Sequence, residues 1–217
     1  MDKIFYKKNI SNGFTLVEAL VAISILMVAV AGPITIAQRG LSTAVFSKDQ
    51  MTASFLVQDG IEAVKNIRDQ VSINQDPQNP DSSVDWISGS PSVPSGLGNC
   101  ICTDDASCNF DSPTAIYCNI DTTNNPLNSS SVISYENPTV VNPLRIKSVS
   151  DTGAFIKYDL DPSNPASRFS RKINIRMQTI NGKPDEAIIN VRVSWGSILG
   201  IQNFDLKDFI YNYSASL

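Results

Sequence analysis

The sequence predicts an α+β protein. One long N-terminal helix, apolar over its first part and amphipathic over its second, packs on an antiparallel β-sheet head. Three observations point there. Positions 14–37 are 24 residues carrying one charge, Glu18. Apolar residues then recur at helical spacing as far as Val71. In the C-terminal third, apolar and polar residues alternate with period two. The expected organisation is a short basic segment at 1–13, the helix at 14–71, membrane-spanning to about 37, and a β-rich head at 72–217 with long loops and a cysteine cluster.

Composition narrows the function classes. The chain has 217 residues, a net charge of -4 and no histidine. That length fits one domain with an appendage, or two small domains. The acidic balance argues against a nucleic-acid partner, because nothing here would release phosphate counterions over a large surface. The missing histidine removes the commonest general base and the commonest zinc ligand. Catalysis is therefore disfavoured before any motif is sought.

At the N-terminus, Lys3, Lys7 and Lys8 stand against one Asp2. The apolar run follows at once. As a helix it reaches roughly 36 Å at about 1.5 Å per residue, enough for a hydrocarbon core of about 30 Å. The lysines place the N-terminus in the cytoplasm, and everything after the run outside. A carboxylate within such a run costs roughly 3 kcal/mol at mid-bilayer, so Glu18 needs an explanation. A secretory signal has the basic start, the apolar middle and an A-x-A at Ala29-Val30-Ala31. Against it, Glu18 lies early in the apolar region and Pro33 crowds the cut site. A plain signal anchor tolerates Glu18 near the interface. The third pattern is more specific: a basic leader ending in glycine, then phenylalanine, with glutamate fifth from that phenylalanine.

Gly13-Phe14-Thr15-Leu16-Val17-Glu18-Ala19-Leu20 resembles the prepilin cleavage and methylation motif of type IV pilins and type II secretion pseudopilins. The match is specific over residues about 7–45 and is one of layout beyond them. The Glu-Ala-Leu-Val-Ala run looks most like minor pilins and minor pseudopilins. The resemblance implies that a prepilin peptidase cuts between Gly13 and Phe14 and methylates the new amine. It also implies an assembly role for Glu18. A cationic amine at Phe14, buried among helices, needs a counter-charge, and Glu18 of an adjacent subunit can supply it. The alternative is pairing within one chain, since the two groups stand four residues apart on one helix face.

Further along, Gly32-Pro33 signals a helix break, since proline removes a backbone hydrogen bond; a simple kink is the milder reading. Ile34, Ala37, Leu41, Ala44 and Val45 recur at helical spacing. Leu56, Gly60, Ala63, Val64, Ile67 and Val71 do so again. The opposite face carries Gln58, Lys65, Asn66 and Asp69, with Lys65 and Asp69 spaced for an ion pair.

Positions 74–99 read as loop, with Trp86 and Ile87 as its anchor to the core. Cys100, Cys102, Cys108 and Cys118 follow. An even number in a loop-like stretch suggests disulfides and an oxidising compartment, and there is no C-x-x-C knuckle for zinc. A Cys100–Cys102 bond is awkward on an extended chain. The nested pairing, Cys100–Cys118 with Cys102–Cys108, is the first choice among three, each bond stabilising the loop by about 3 kcal/mol.

Two long strands alternate. Phe169, Arg171, Ile173, Ile175 and Met177 share one face, as do Ala187, Ile189, Val191, Val193 and Trp195. Asn181-Gly182 between them signals a hairpin, with the spacer through Glu186 implying a loop longer than two residues. Leu144 to Val149 and Phe155 to Leu160 are shorter strands around Asp151-Thr152-Gly153, a turn. The sheet needs a cover, and the Leu56–Val71 segment supplies it. The C-terminal segment from Phe204 is either an edge strand or a short helix.

No nucleotide-binding loop, nucleophile elbow or metalloprotease motif occurs. Three loops are rich in oxygen ligands: Asp76, Asn79, Asp81 and Asp85; Asp104, Asp105 and Asp111; Asp159, Asp161 and Asn164. None has the EF-hand spacing or its terminal glutamate, so solvated loops are the main reading, no cofactor is expected, and calcium is the lesser alternative. Sequons at Asn128 and Asn212 carry little weight without a host. The expectation is a non-enzymatic minor pilin or pseudopilin. Its partners are other such subunits, prepilin peptidase, an inner-membrane assembly platform and lipid. It inserts once in the inner membrane with the head extracytoplasmic, then enters a surface filament. A major subunit, a membrane-anchored binding module or adhesin with an uncut signal anchor, and an enzyme released after Ala31 are the alternatives.

Overall fold

The computed structural model describes residues 13, 15–73, 86–90, 93–94, 97–122, 132–134, 142–148, 156–180, 183–197 and 200–212. Contacts divide the chain into two units, 1–47 and 48–217. One helix, α1 (Leu16–Ile73), contributes to both. In the first unit its side chains lie exposed almost throughout. The break expected at Gly32-Pro33 is not formed: α1 runs through both residues with Pro33 inside it. Proline leaves the Ala29 carbonyl without its helical donor, at a cost of about 3 kcal/mol. The helix, formed on both sides of Pro33, propagates past that one missing bond because extension is far easier than a fresh nucleus.

The second unit contains the head. After α1 come a two-stranded pair, β1 (Gly89–Ser90) and β2 (Val93–Pro94), then a 3-10 turn at Leu97–Cys100. An eight-stranded sheet follows, made of β3 (Ile101–Cys102), β4 (Cys118–Ile120), β5 (Val132–Ser134), β6 (Pro143–Ser148), β7 (Ile156–Asp159), β8 (Ala166–Ile180), β9 (Lys183–Ser197) and β10 (Gly200–Tyr211). All its pairings are antiparallel except β3 with β8. β9 lines one edge of β8 from Phe169 to Ile180, while β6, β4 and β3 share the other in succession. The C-terminal segment is settled as strand: β10 pairs with β9 over twelve register positions and leaves β10 at the sheet edge.

The hairpin is tighter than the sequence suggests. Ile180 pairs with Lys183, so only positions 181–182 connect the strands, and Asn181-Gly182 themselves lie outside the described residues. Lys183-Pro184-Asp185-Glu186 has weak strand propensity and reads as spacer, but pairing with β8 overrides propensity. The proposed turn at 151–153, the acidic loop at 76–85 and the Asn128 sequon also lie outside the described residues.

The core forms where α1 meets the inner face of the sheet. Ala53, Leu56, Val57, Gly60, Ile61, Val64, Ile67 and Val71 are buried, a stripe at i, i+3, i+4 and i+7. Opposite lie Phe169, Ile173, Ile175, Ile189, Val191, Val193 and Trp195, also buried. Each large aliphatic side chain fully buried there contributes about 1.5–3 kcal/mol. Gly60 sits at a close approach between α1 and the sheet. A Cβ at that position would stand 3.2 Å from the Arg171 side chain and 3.2 Å from Val191.

Arg171 lies in this apolar face and is 2% exposed. Its guanidinium donates to Asp59 Oδ2 at 2.6 Å and the Leu56 carbonyl at 3.1 Å on α1, and to Asn119 Oδ1 at 2.9 Å and the Ile120 carbonyl at 2.6 Å on β4. One buried cation thus ties helix, sheet and cysteine segment together, with its donors spread over a carboxylate and three neutral oxygens. The expected Lys65–Asp69 pair does not form. Lys65 reaches Asp208 on β10 at 2.6 Å, and Asp69 pairs with Arg68. Docking of the sheet offers Lys65 a carboxylate on another element, a choice that helix spacing alone cannot reveal.

That strut generates a prediction. The hydrogen bond from Lys65 holds the Asp208 carboxyl below its ordinary value. A carboxylate with a depressed folded pKa stabilises the fold above its unfolded pKa, and the contribution is lost as pH falls through the folded one. Asp208→Asn should therefore remove part of the acid limb of the stability profile below about pH 4, while leaving Lys65 unpaired at neutral pH. Urea midpoints of parent and variant between pH 2 and 7, on the order of the full carboxylate range, should converge at the acid end.

Candidate functional site

The N-terminal segment is built on a helix cap. Gly13 and Thr15 lie outside α1, which begins at Leu16. The Thr15 carbonyl accepts the first helical bond, from Ala19 N at 3.1 Å. Its Oγ1 accepts the Glu18 backbone N–H at 3.2 Å. Thr15 is thus the N-cap and Glu18 the third helical residue, the spacing of a capping box. Glu18 is exposed in the first turn, where a negative charge complements the helix dipole. The Glu18 side chain therefore has a local reason to exist besides any partner. Phe14, the other expected processing residue, lies outside the described residues.

Beyond the cap, the helix presents an apolar surface on every side. Leu16 is 77% and Val28 78% exposed, and Leu20, Ile23, Leu26 and Ile36 are exposed as well. The hydroxyls within it turn back on their own helix: Ser24 Oγ donates to the Leu20 carbonyl at 2.8 Å and Thr35 Oγ1 to the Ala31 carbonyl at 2.9 Å. Such back-bonding is how a hydroxyl is satisfied in lipid. The helix is long and apolar enough to cross a membrane.

In the head, the four cysteines form two bonds, Cys100–Cys118 and Cys102–Cys108, with Cα separations of 5.0 and 5.1 Å. The arrangement is nested. Because β3 and β4 lie along the same edge of β8, closing the outer bond pins both strands to it. In the chain-entropy model the bonds contribute about 3 and about 2 kcal/mol. The loop between them covers the outer face of the sheet. Asn174 Nδ2 donates to the Cys108 carbonyl at 2.8 Å, and Lys172 stands 4.4 Å from the Tyr117 ring centre. Burial lowers the Lys172 pKa, with Arg192 adding to the effect.

A cleft of about 410 Å³ runs beside this loop, lined in part by Asp105, Phe110, Arg176, Arg192 and Asp205. Its charges engage one another. Arg176 pairs with Asp105, and Arg192 with both Asp111 and Asp205. Hydrogen bonding to Asp205 pushes the Arg192 pKa above its ordinary value. Such an array holds the loop on the sheet and offers polar contacts. Among the described residues it contains no nucleophile beside a base.

The expected site residues thus fall in two places. Gly13 and Glu18 cluster at the helix start, with Gly32 and Pro33 further along the same helix, and the cysteines lie in the head. Sequence inspection missed Thr15, although T-x-x-E before an apolar run is its signature. It placed Arg171 in phase with the buried face without drawing the consequence. Ser170 and Asn174, on the face of β8 opposite that one, are buried as well; the loop that covers Asn174 has no periodicity to announce it.

A family model described as the prokaryotic N-terminal methylation motif matches residues 8–32. The match supports a type IV pilin-like prepilin motif at this end of the chain. With the apolar helix, it points to a membrane-anchored protein. No curated protein and no solved structure matches the chain.

The cap yields a test. Thr15→Val removes the side-chain acceptor and should cost about 1 kcal/mol at the helix start, read as faster amide exchange at Val17 and Glu18 in micelles. Thr15→Ser should retain parental protection.

Proposed function

We propose that the chain is a non-enzymatic subunit, a minor pilin or minor pseudopilin, of a type IV pilus or type II secretion pseudopilus-like filament. Prepilin peptidase cuts between Gly13 and Phe14 and methylates the new amine. The subunit waits in the inner membrane with its head extracytoplasmic, and an inner-membrane platform then assembles it through α1. The observation that carries this reading is the coincidence of the matched motif at 8–32 with a helix whose apolar surface is uncovered on all sides. A helix covered by its own head would have no surface left for neighbours.

In this reading Glu18 answers the amine created at Phe14 of the adjacent subunit. An unpaired charge in a poorly solvated bundle is costly, so the pair fixes axial register. The exposed position of Glu18 leaves its carboxylate available to a neighbour. The cap contributes too. By ending the helix at Thr15, it leaves Gly13 outside helical structure, as a peptidase substrate requires.

Two outcomes test the proposal. Gly13→Trp should leave the precursor at full length, because a small residue is needed at the cut; trimming at the normal rate would count against the motif. Glu18→Gln keeps size and polarity but removes the counter-charge, an uncompensated loss of roughly 3–5 kcal/mol at full burial. Its head should fold normally, while its share in sheared filaments falls well below that of the parent. Equal incorporation would reduce Glu18 to a helix-capping residue.

A further inference from the structure

The outer face of the sheet carries a depression that the filament reading does not use. Its side chains stand in cross-strand rows over β8, β9 and β10. Ser170 is opposite Ser194, and Ser194 opposite Asn203. Lys172 is opposite Arg192, and Gly196 opposite Ile201. Small residues, Ser170, Ser194 and Gly196, form the floor. Lys172, Arg192 and Ile201, with Phe110 from the cysteine loop, form the walls. The cavity so enclosed is about 420 Å³, within the range of small-molecule sites. Gly196 keeps it open, since a Cβ there would meet nothing within 4 Å.

The charges around this depression are unevenly matched. Arg168 on its rim pairs with Asp49 at 2.8 Å. Arg192 pairs with Asp111 at 2.6 Å and with Asp205 at 2.8 Å. All three carboxylates are thus committed to arginines. Lys172 is left over. Among the described residues its ammonium makes no ion pair and no hydrogen bond; what it meets is the Tyr117 ring, 4.4 Å away. Lys172 is half-buried and stands beside Arg192, so its charge is poorly solvated and repelled. Next to it, the side chains of Ser170, Ser194 and Asn203 make no hydrogen bond among the described residues. One uncompensated cation therefore borders three uncommitted groups that can both donate and accept.

We propose that this depression binds the ring of an acidic sugar, a uronate, with its carboxylate on Lys172 and its hydroxyls on Ser170, Ser194 and Asn203. One free cation matches one negative charge. A phosphate dianion would bring a second charge against Asp111, which lines the same space. Two hydroxyls and an amide suit a ligand rich in hydroxyls, and Phe110 and Ile201 offer apolar edges to the C–H face of its ring. The proposal is independent of how the N-terminus is processed.

The test titrates the full chain in detergent micelles with sodium galacturonate, followed by calorimetry and by amide chemical shifts. Binding should appear with a dissociation constant on the order of 1 mM, as expected of a small polar ligand. Shifts should concentrate at Ser170, Lys172, Ser194, Gly196 and Asn203. Galactose, which lacks the charge, and acetate, which lacks the hydroxyls, should each bind at least tenfold more weakly. Lys172→Gln should weaken galacturonate at least tenfold. Gly196→Leu fills the floor at an exposed position where a side chain has room, so it should do the same with the Tm unchanged. The methyl glycoside separates two sources of the ligand: retained binding assigns the end of a polysaccharide chain, and lost binding the free sugar. Three results would overturn the site: no shift at about 20 mM galacturonate, far beyond that constant; inorganic phosphate or acetate binding as tightly as galacturonate, the mark of a mere anion patch; or Gly196→Leu binding as tightly as the parent.

Discussion

The uncovered apolar surface of α1 is the constraint on which the rest of the molecule depends. Between Leu16 and Val45 leucine, valine and isoleucine side chains stand exposed around the helix. Each forgoes about 1.5–3 kcal/mol if left in water. Only lipid or neighbouring helices can relieve that cost. Lipid is compatible with the way Ser24 and Thr35 satisfy their hydroxyls on the helix backbone, as Thr43 and Thr52 also do further along. In the proposed filament, neighbouring helices would give the Glu18 carboxylate a partner that hydrocarbon cannot offer. Uninterrupted passage through Pro33 keeps the backbone groups of this segment paired, apart from the one bond that proline removes.

Within the head, Arg171 has the corresponding position. A guanidinium on the buried face of a sheet is a liability unless its donors are met, and four bonds to α1 and β4 engage all three of its nitrogens. The two disulfides act from the other side of β8, holding the cysteine segment against it. Polar and covalent ties thus converge on β8, and the aliphatic stripe of α1 supplies most of the burial. A head with this many short strands needs such ties, because two- and three-residue strands contribute little by themselves.

Much of this was legible in the sequence, and the exceptions have physical causes. The helical stripe from Leu56 to Val71 and the alternation from Phe169 to Met177 are period signals, and the structure places both in the core. Trp86 and Ile87 stand out in a polar stretch because burial is the only good use for them, and both are buried. What escaped was decided by tertiary context. Lys65 had two candidate carboxylates, and only docking of β10 selects Asp208. Lys183 to Glu186 lacks strand propensity and is strand because β8 pairs with it. Ser170 and Asn174 look solvent-facing until the cysteine loop covers that side of the sheet. The C-terminal segment carries patterns compatible with helix and strand alike, and the free edge of β9 decides between them. At the N-terminus the motif was plain, whereas the cap formed by Thr15 was hidden by the more conspicuous glutamate beside it.

The central claim is that the chain matures at Gly13 and works through the helix that follows. Its most direct test is the intact mass of the protein isolated from the membranes of its native host. The account predicts a chain beginning at Phe14, heavier by one methyl group on its amine, with both disulfides intact. A mass corresponding to Met1 would mean an uncut anchor, and one corresponding to Gly32 a secreted product; either would contradict it.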